Sequence, residues 1–528
     1  MLKVCILTAG RGSRNISAKF SNKALLPVFN RAAISLIMEC FPNDTKFIIA
    51  VGHNSVMVED YLKLAENERN IQICYVHNYD KKGSGPGLSL LSCKKYLQSP
   101  FIFTACDTLI KEKIKKVSYN WVGTSDVKDT ENYLVFDEKN NMVSKFFDKI
   151  ESKNLPSNVK KPYKAFIGIA GIFDYKKFWY SLEENKSLIN NEIQVSNGLS
   201  GIIQDKIHLK PLSWKDIGTD QLYKDLLKTK DVKVLPKSSE IIYFENKYVI
   251  KFFSDTKKVT QRLKRAKFIK NALPNNLITK NNFLRYDFMP GHLLSNQNED
   301  KIFNKFLNFS KNTIWMKTNL SEKEHCKFIK ECRYFYKDKT LERVKEFFVN
   351  SKTSDQSMNI NGIDVPPIIE VLEELKWKEI YDNAIPVKFH GDPQPENIIV
   401  KNKENFVFLD WRESFGKESL FGDIYYDFGK IYHALIISGK VIRDNNYIFK
   451  QNDKRINLEF LLRENLIRFI KLFETFLKNE NYDVQHVRLM SALIFLNIAP
   501  LHHDPYNKLV FNYGRFALNN VLSNKWHL

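Results

Sequence analysis

Short apolar runs alternate with amphipathic stretches along the first 230 residues. The apolar runs predict strands at residues 2–7, 47–51, 71–76 and 100–106. Helical periodicity between them predicts helices at residues 32–40, 56–65 and 86–96. This alternation predicts a mostly parallel, Rossmann-like α/β sheet with helices on both faces, in which ligands gather at the carboxyl ends of the strands.

The pattern changes twice further along the chain. Shorter strand runs at residues 133–138, 142–148 and 165–173 predict a partly antiparallel section that holds an acceptor pocket. Strand-like runs at 240–244 and 248–253 begin a second, α+β domain, which is mostly helical from residue 298, including amphipathic stretches at 302–309 and 458–477. We therefore predict domains at 1–230 and 231–528, the latter with a small lobe at about 231–290 and a helical large lobe at about 291–528.

Composition narrows the class of protein. The chain has 528 residues, 43% hydrophobic and 27% charged, which fits two globular domains. Its net charge of +21 is spread along the chain. Nucleic-acid binding is therefore supported by the net charge and by no other feature of the sequence. Seven cysteines without CxxC spacing indicate buried, reduced thiols. Without a leader or a membrane-length apolar run, we expect a cytoplasmic protein with small-molecule partners, no nucleic acid and no membrane insertion; its oligomeric state stays open.

A glycine-rich loop follows the first strand. Glycines let the backbone approach phosphate oxygens, and nearby cations neutralise charge on a leaving pyrophosphate. The predicted nucleotide-binding residues of this loop are Thr8, Ala9, Gly10, Arg11, Gly12 and Arg14. Lys23 supplies a further cation.

Two carboxylates and a second glycine segment extend this prediction. Asp107 and Asp216 each follow an apolar strand, so they can converge at the strand ends and share a Mg²⁺. The alternative for each is a turn former or helix cap. Gly85 precedes Pro86, a favoured first helical residue, and its backbone can lie against the edge of a base. A plain loop-to-helix junction is the alternative there.

The ordered segments LTAGRGSR, NKALLPV, GSGPGLSLL, TACDTL and WKDIGT resemble the sugar-nucleotidyltransferase superfamily over about residues 1–228. They are most similar to cytidylyltransferases that activate phosphocholine. The resemblance implies that Lys23, Asp107 and Asp216 are catalytic, with Lys23 stabilising the transferred phosphate and both aspartates binding Mg²⁺. Thr8 and Asn22 depart from the alanine and proline of the family pattern.

The segments HGDPQPENIIV and VFLDW indicate a second catalytic activity. At this spacing Asp392 serves as the base that accepts the proton of a substrate hydroxyl, while Asn397 and Asp410 bind the metal ions that bridge the phosphates of ATP. Lys251, on a strand, is predicted to bind ATP phosphates; an ordinary surface lysine is the alternative.

The chain resembles the aminoglycoside phosphotransferase and choline kinase family over about residues 232–528, which implies a two-lobed, protein-kinase-like domain. GDIYYDFGK, with Asp423 and Asp427, matches a family segment that we expect to support the catalytic loop. The helix predicted after Lys251 contains no Glu, so either another acid pairs with Lys251 or the kinase half is inactive.

Together these features predict a bifunctional enzyme that uses Mg²⁺, ATP and CTP. One half phosphorylates a small alcohol, with choline or ethanolamine favoured. The other half transfers CMP to the product and releases pyrophosphate, for decoration of a surface glycan or lipid. One alternative is a sugar kinase joined to a sugar-1-phosphate nucleotidyltransferase that makes a UDP- or CDP-sugar. Another is a transferase with an inactive, nucleotide-binding pseudokinase half.

Overall fold

The computed structural model of this chain describes residues 1–12, 21–128, 130–156, 159, 161–228, 239–417 and 419–526. The described residues form two compact units. The first contains residues 1–256 and 278–286, and the second contains residues 257–277 and 287–528.

The first unit is an α/β structure. Its strands are β1 (Lys3–Leu7), β2 (Pro27–Val28), β3 (Arg31–Ala32), β4 (Lys46–Val51), β5 (Asn70–Tyr75), β6 (Phe101–Ala105), β7 (Thr108–Ile110), β8 (Trp121–Val127), β9 (Leu134–Lys139), β10 (Met142–Asp148), β11 (Tyr163–Ile172), β12 (His208–Pro211), β13 (Trp214–Asp216), β14 (Glu240–Glu245), β15 (Tyr248–Phe253), β16 (Ile278–Lys280) and β17 (Phe283–Asp287). Its helices are α1 (Ala33–Met38), α2 (Ser55–Ala65), α3 (Pro86–Ser92), α4 (Tyr175–Glu184), α5 (Ser196–Leu199) and α6 (Asp220–Leu227).

The main sheet has the strand order β5, β4, β1, β6, β11, β8, β12, β10, β9. Val4 and Ile6 of β1 belong to one buried core and Cys5 to another, so both faces are covered, as predicted. The first four strands are parallel, as predicted. The predicted partly antiparallel section follows them: β11 runs antiparallel to β6, β8 and β9, and β10 runs antiparallel to β9 and β12, while β12 runs parallel to β8. The sheet is therefore mixed.

The small sheet β14, β15, β17, β16 packs into the first unit. Tyr243, Ile250, Phe252 and Phe283 of these strands are buried in the same core as β1. The predicted domain boundary near residue 231 lies outside the described residues and stays a prediction. The described strands that we assigned to the small lobe nevertheless share their core with the N-terminal sheet, because their apolar faces cover helix α2.

The second unit is mainly helical. Its helices are α7 (Thr256–Ala266), α8 (Asp300–Thr313), α9 (Glu322–Arg333), α10 (Lys339–Ser351), α11 (Ile368–Glu374), α12 (Trp377–Asp382), α13 (Ile424–Ile436), α14 (Gly439–Arg443), α15 (Glu464–Asn479), α16 (Val484–Ile498) and α17 (Tyr506–Leu522). Its strands are β18 (His292–Leu293), β19 (Met358–Ile360), β20 (Ile363–Val365), β21 (Pro386–Val387), β22 (Ile398–Val400), β23 (Phe406–Phe408), β24 (Gly422–Asp423), β25 (Tyr447–Asn452) and β26 (Arg455–Phe460).

The amphipathic stretch at 458–477 is only partly helical. Residues 458–460 end strand β26, which pairs with β25 and β19, and the helix begins at Glu464. Among the described residues, one helical window, residues 484–501, is long and apolar enough to cross a bilayer, and half of it is buried inside the protein. Core helices of globular proteins meet the same criterion. A cytoplasmic location stays a prediction.

Candidate functional sites

The glycine-rich loop after β1 borders a cavity of about 520 Å³ in the first unit. Thr8 is buried and donates from Oγ1 to the carbonyl of Ala50 at 2.8 Å, which ties the loop to the neighbouring strand β4. The cavity is lined by Ala9, Gly10, Arg11 and Gly12, together with Lys23, Gly85 and Asp107. Arg14 lies outside the described residues.

Asn22 fixes the position of Lys23. Its Nδ2 donates to the carbonyls of Thr8 and His53 at 3.0 and 2.7 Å, and its Oδ1 accepts from the amide of Ala24 at 2.9 Å. Nζ of Lys23 then lies 2.5 Å from Oδ2 of Asp107. The sequence marked Asn22 only as a departure from the family pattern. The structure places it as the link between the loop and the lysine.

Asp107 and Asp216 converge, as predicted. Strands β7 and β13 pair with Thr108 opposite Asp216, which brings the two distant carboxylates together. A Cβ added to Gly218 would lie 2.7 Å from Oδ1 of Asp216 and 3.3 Å from Oδ2 of Asp107. A side chain at residue 218 would therefore crowd both carboxylates, which the glycine avoids.

The electrostatics of this pair suit a hard cation. Burial, followed by the charge of Asp107, raises the pKa of Asp216 above its usual value. Carboxylate oxygens are the donors that Mg²⁺ takes, usually with substrate phosphates completing its shell. In the described part of the chain, no group of three or more His, Cys, Asp or Glu side chains gathers at one point. A two-carboxylate site of this kind fits an ion that is shared with a nucleotide.

Gly85 has a φ of +105° and precedes helix α3. A Cβ there would lie 2.7 Å from Cβ of Glu192, so a side chain has no room. Glu192 and Gln194 line the same cavity and were missed by the sequence analysis. They follow no strand or glycine motif that would have marked them.

The predicted acceptor section also reaches the cavity. Tyr133, Asp148, Lys149 and Phe166, all from the section between residues 122 and 173, line its wall. Oη of Tyr133 donates to Oδ2 of Asp216 at 3.4 Å, which connects this wall with the carboxylate pair.

Asp392 lies in the second unit, on the loop after Phe389. Its carboxylate accepts from Gln394 at 3.0 Å and from Asn397 at 3.1 Å, and Nζ of Lys430 lies 2.7 Å from its Oδ1. Burial raises the pKa of Asp392, but the charge and hydrogen bond of Lys430 outweigh it and hold the pKa below its usual value. Lys430, on helix α13, was not predicted. Its distance of 38 residues from Asp392 gave no local signal.

Asp427 supports this loop, as the sequence predicted. Its carboxylate accepts from the amides of His390 and Gly391 at 2.8 and 2.7 Å, and from Nε1 of Trp315 at 3.2 Å. Asp423 accepts from the amide of Ile385 at 2.9 Å and caps helix α13. Both aspartates are fully buried, so they hold the backbone rather than contact a ligand.

Asn397 and Asp410 lie near Asp392. The amide of Leu409 donates to the carbonyl of Asn397 at 2.8 Å, which sets the end of β23 against the loop. Asp410 has a φ of +60°, and its Oδ1 lies 2.8 Å from Nη1 of Arg262 on helix α7. The oxygen donors of Asn397 and Asp410 fit a hard cation. In this conformation, however, an arginine already neutralises Asp410.

A second arginine anchors helix α7 to the same loop. Arg265 is fully buried and donates from Nη2 to the carbonyls of Lys388 and Phe389 at 3.0 and 2.5 Å. Its guanidinium also lies 4.1 Å from the ring centre of Phe389. Helix α7 therefore meets the loop of Asp392 with arginines, where the sequence lacked the expected Glu.

Lys251 belongs to the first unit and is buried on β15. Its Nζ lies 3.3 Å from Oε1 of Glu240, on the neighbouring strand β14. Lys251 is thus not an ordinary surface lysine, and the acid that pairs with it comes from the adjacent strand. Phosphate binding by Lys251 stays a prediction.

No protein-family model and no curated protein matches this chain. Solved structures similar to its N-terminal part include a UDP-glucose pyrophosphorylase complexed with UDP-glucose, at 20% identity and a TM-score of 0.37, over 43% of this chain and 98% of the other. A putative glucose-1-phosphate thymidylyltransferase from Bacillus anthracis has 19% identity and a TM-score of 0.36, over 45% and 98%. The inositol-1-phosphate CTP transferase from T. maritima has 13% identity and a TM-score of 0.33, over 45% and 98%. Each likeness covers less than half of this chain.

Proposed function

We propose that the first unit is a nucleotidyltransferase that joins a phosphorylated small molecule to a nucleotide, with CTP as donor. The observation that carries this proposal is the shared cavity of the glycine-rich loop, Lys23 and Asp107, with Asp216 beside Asp107 around Gly218. Glycines that admit phosphates, a buried cation and two convergent carboxylates are what transfer to an α-phosphate needs.

In this proposal the phosphate of the acceptor attacks the α-phosphorus in line and pyrophosphate leaves. The backbone of residues 9–12 holds the triphosphate, and Lys23 neutralises charge that develops on the transferred group. Asp107 and Asp216 hold Mg²⁺, which supplies further neutralisation of the phosphate oxygens. The cavity wall with Tyr133 and Phe166 positions the acceptor.

We propose that the second unit phosphorylates a small alcohol with ATP. Asp392 orients the hydroxyl and accepts its proton, and the pKa held low by Lys430 keeps this carboxylate ionised. Asn397 and Asp410 provide oxygen ligands for the metal of MgATP. The support for this role is the hydrogen bond between Asp392 and Asn397. Asp427 fixes the same loop by accepting from two of its backbone amides.

The two activities then act in sequence on one substrate. Choline and ethanolamine are the acceptors that the sequence resemblance favours, and a sugar that is phosphorylated and then joined to UMP or CMP is the alternative. Decoration of a surface glycan or lipid is the process that such a product would serve.

One observation favours a different role for the second unit. Because Arg262 neutralises Asp410, the unit can bind nucleotide without turnover, as a pseudokinase does. Measured ADP formation separates the two roles. An active kinase forms ADP with at least one alcohol of a broad panel, whereas a pseudokinase binds ATP and forms none.

The nucleotidyl transfer is tested with Asp107→Asn in the full-length chain. This variant loses the carboxylate but keeps the size of the side chain, so it should stop pyrophosphate release from CTP and a supplied phosphorylated alcohol. ADP formation should persist. Pyrophosphate release at the wild-type rate in Asp107→Asn would overturn the assignment of the first site.

A further inference from the structure

Cationic side chains surround the candidate base of the second unit. Lys430 contacts Asp392 directly, with 2.7 Å between Nζ and Oδ1. Arg412 is attached to the same loop, because its amide donates to the carbonyl of His390 at 3.0 Å. Its stem covers Gly391, where an added Cβ would lie 2.6 Å from Cγ and Cδ of Arg412.

A third cation, Lys339, shares an aromatic ring with Arg412. Nζ of Lys339 lies 4.2 Å from the ring centre of Phe335, and Cζ of Arg412 lies 5.3 Å from it. Phe335 is part of a π-helical segment, Tyr334–Asp338, inserted between α9 and α10. Such insertions occur frequently at functional sites, because they displace side chains from the regular helical positions.

Lys430 is paired with Asp392, but Lys339 and Arg412 have no such direct partner among the described residues. In the described part of the chain, neither Lys339 nor Arg412 has a carboxylate within 4.0 Å, and Nε of Arg412 has no hydrogen-bond partner. The Arg412 guanidinium donates to Oη of Tyr426 at 3.3 Å. Burial, together with the charges of Arg412, Arg343 and Lys430, lowers the pKa of Lys339 to about 7. Burial lowers the pKa of Arg412, but Tyr426 and the charges of Glu413 and Asp392 outweigh it and raise the pKa above its usual value. Lys339 and Arg412 are therefore cations without a direct carboxylate contact from the described residues, and a bound counter-charge would stabilise them.

We propose that Lys339, Arg412 and Lys430 bind an anionic group of the alcohol that the second unit phosphorylates. The acceptor is then a hydroxy acid or an alcohol that already carries a phosphate, and not the cation choline or ethanolamine. This inference rests on the kinase function proposed above. The hydroxyl oxygen attacks the γ-phosphorus of ATP, the bond from that phosphorus to the bridging oxygen breaks, ADP leaves, and the hydroxyl proton passes to Asp392.

The test compares alcohols that are matched in size and differ in charge. The full-length protein is assayed for ADP formation with ATP, Mg²⁺ and D-glycerate, glycerol 3-phosphate, glycerol, choline or ethanolamine. An anionic alcohol should give a kcat/KM at least about tenfold above that of glycerol, since a charged contact contributes that much or more. The highest kcat/KM with choline, ethanolamine or glycerol would overturn the proposal.

Variants show whether these cations bind the anionic group of the acceptor or the γ-phosphate of ATP. Arg412→Gln and Lys339→Gln should each raise the KM for the anionic alcohol about tenfold or more and leave the KM for ATP within about twofold. Arg412→Lys should recover part of the loss. Lys345→Gln, which removes an exposed charge from the same helix α10, is the matched control and should change neither constant. A raised KM for ATP with an unchanged KM for the alcohol would show that these cations bind ATP instead, and would overturn the proposal.

A binding measurement separates failure of the site from failure of the kinase function. Calorimetric titration with D-glycerate and with glycerol 3-phosphate, without ATP, should show binding to the wild type that Arg412→Gln and Lys339→Gln weaken. Binding of this kind without ADP formation would support the anion site and refute the kinase function. If neither anionic alcohol binds and neither is turned over, the anion site is overturned.

Discussion

The guanidinium of Arg262 lies 2.8 Å from Oδ1 of Asp410, the carboxylate that the sequence assigns to a metal ion. Nε of Arg262 also lies 3.7 Å from Oε2 of Glu413. A metal ion that takes Oδ1 of Asp410 as a ligand has to displace this arginine. Helix α7 therefore carries a competitor for the metal ion that we propose for the second unit.

Replacing Arg262 should ease metal binding. Arg262→Gln removes the competing charge, and we expect the Mg²⁺ concentration for half-maximal ADP formation to fall by about two- to tenfold, as suits a half-buried ion pair. The measurement is a Mg²⁺ titration at fixed ATP, with circular dichroism to verify folding. Arg468→Gln, which removes an arginine from the surface of helix α15, is the control. An unchanged or higher Mg²⁺ requirement in Arg262→Gln would contradict competition.

Asn22 should be required for nucleotidyl transfer although it is not expected to touch the substrate. Asn22→Ala removes three hydrogen bonds that set Lys23 between the glycine-rich loop and Asp107. We expect kcat for pyrophosphate release to fall about tenfold or more, because a misplaced Lys23 stabilises the transition state less well. ADP formation by the same variant is the internal control. Equal kcat values for Asn22→Ala and the wild type would rule out this positioning role.

How much the sequence predicts depends on how local the signal is. Strands β1, β4, β5 and β6 were recognised because each is a short apolar run, and Asp107 was located because it follows one. Glu240 was missed as the partner of Lys251, since their proximity depends on the antiparallel register of β14 and β15. Residues 458–460 were mistaken for helix, because apolar spacing does not reveal their pairing with strand β25.

The cations of the second site show the same limit more strongly. Arg262, Lys339 and Lys430 are not sequence neighbours of Asp392 and Asp410. In the sequence, each resembles an ordinary lysine or arginine on the surface of a helix. Only the packing of α7, α10 and α13 around the loop brings them to the proposed site. The shorter strand runs predicted a partly antiparallel section, but not which strands pair within it, because an apolar strand has the same pattern in either direction.

A buried polar cluster should stabilise the first unit. Oε1 of Glu245 accepts from Oη of Tyr61 at 2.6 Å, and its Oε2 lies 2.7 Å from Nη2 of Arg31. Glu245→Gln removes the buried charge that pairs with half-buried Arg31 and accepts from buried Tyr61, although Arg31 keeps its pair with Glu39. We therefore expect the free energy of unfolding to fall by about 1–3 kcal/mol. Urea unfolding gives this value. Lys247→Gln, which breaks the exposed pair with Glu68, should change it by less than about 0.5 kcal/mol. A similar small change in Glu245→Gln would show that the cluster contributes little.

Asp423 should make the second unit less stable as the pH rises. Burial raises the pKa of Asp423 to about 7 in the folded protein, whereas the unfolded carboxyl has a pKa near 3.9. Between about pH 4 and pH 7 the folded state binds the extra proton, so this residue's contribution to stability falls as the pH rises through that range. Urea unfolding of wild type and Asp423→Asn at several pH values isolates the effect. Stability should decrease with pH more steeply in the wild type, and parallel profiles would contradict the raised pKa.

Product analysis tests the central claim, two coupled transfers in one chain, most directly. Wild-type protein, Asp107→Asn and Asp392→Asn are each incubated with ATP, CTP, Mg²⁺ and the panel of alcohols, and the products are identified by mass spectrometry. The wild type should form a CDP-linked product. Asp107→Asn should accumulate the phosphorylated alcohol, and Asp392→Asn should form the CDP-linked product only when that phosphorylated alcohol is supplied. The account would be contradicted if either variant formed the CDP-linked product from the free alcohol at the wild-type level. It would also be contradicted if none of the three proteins formed that product.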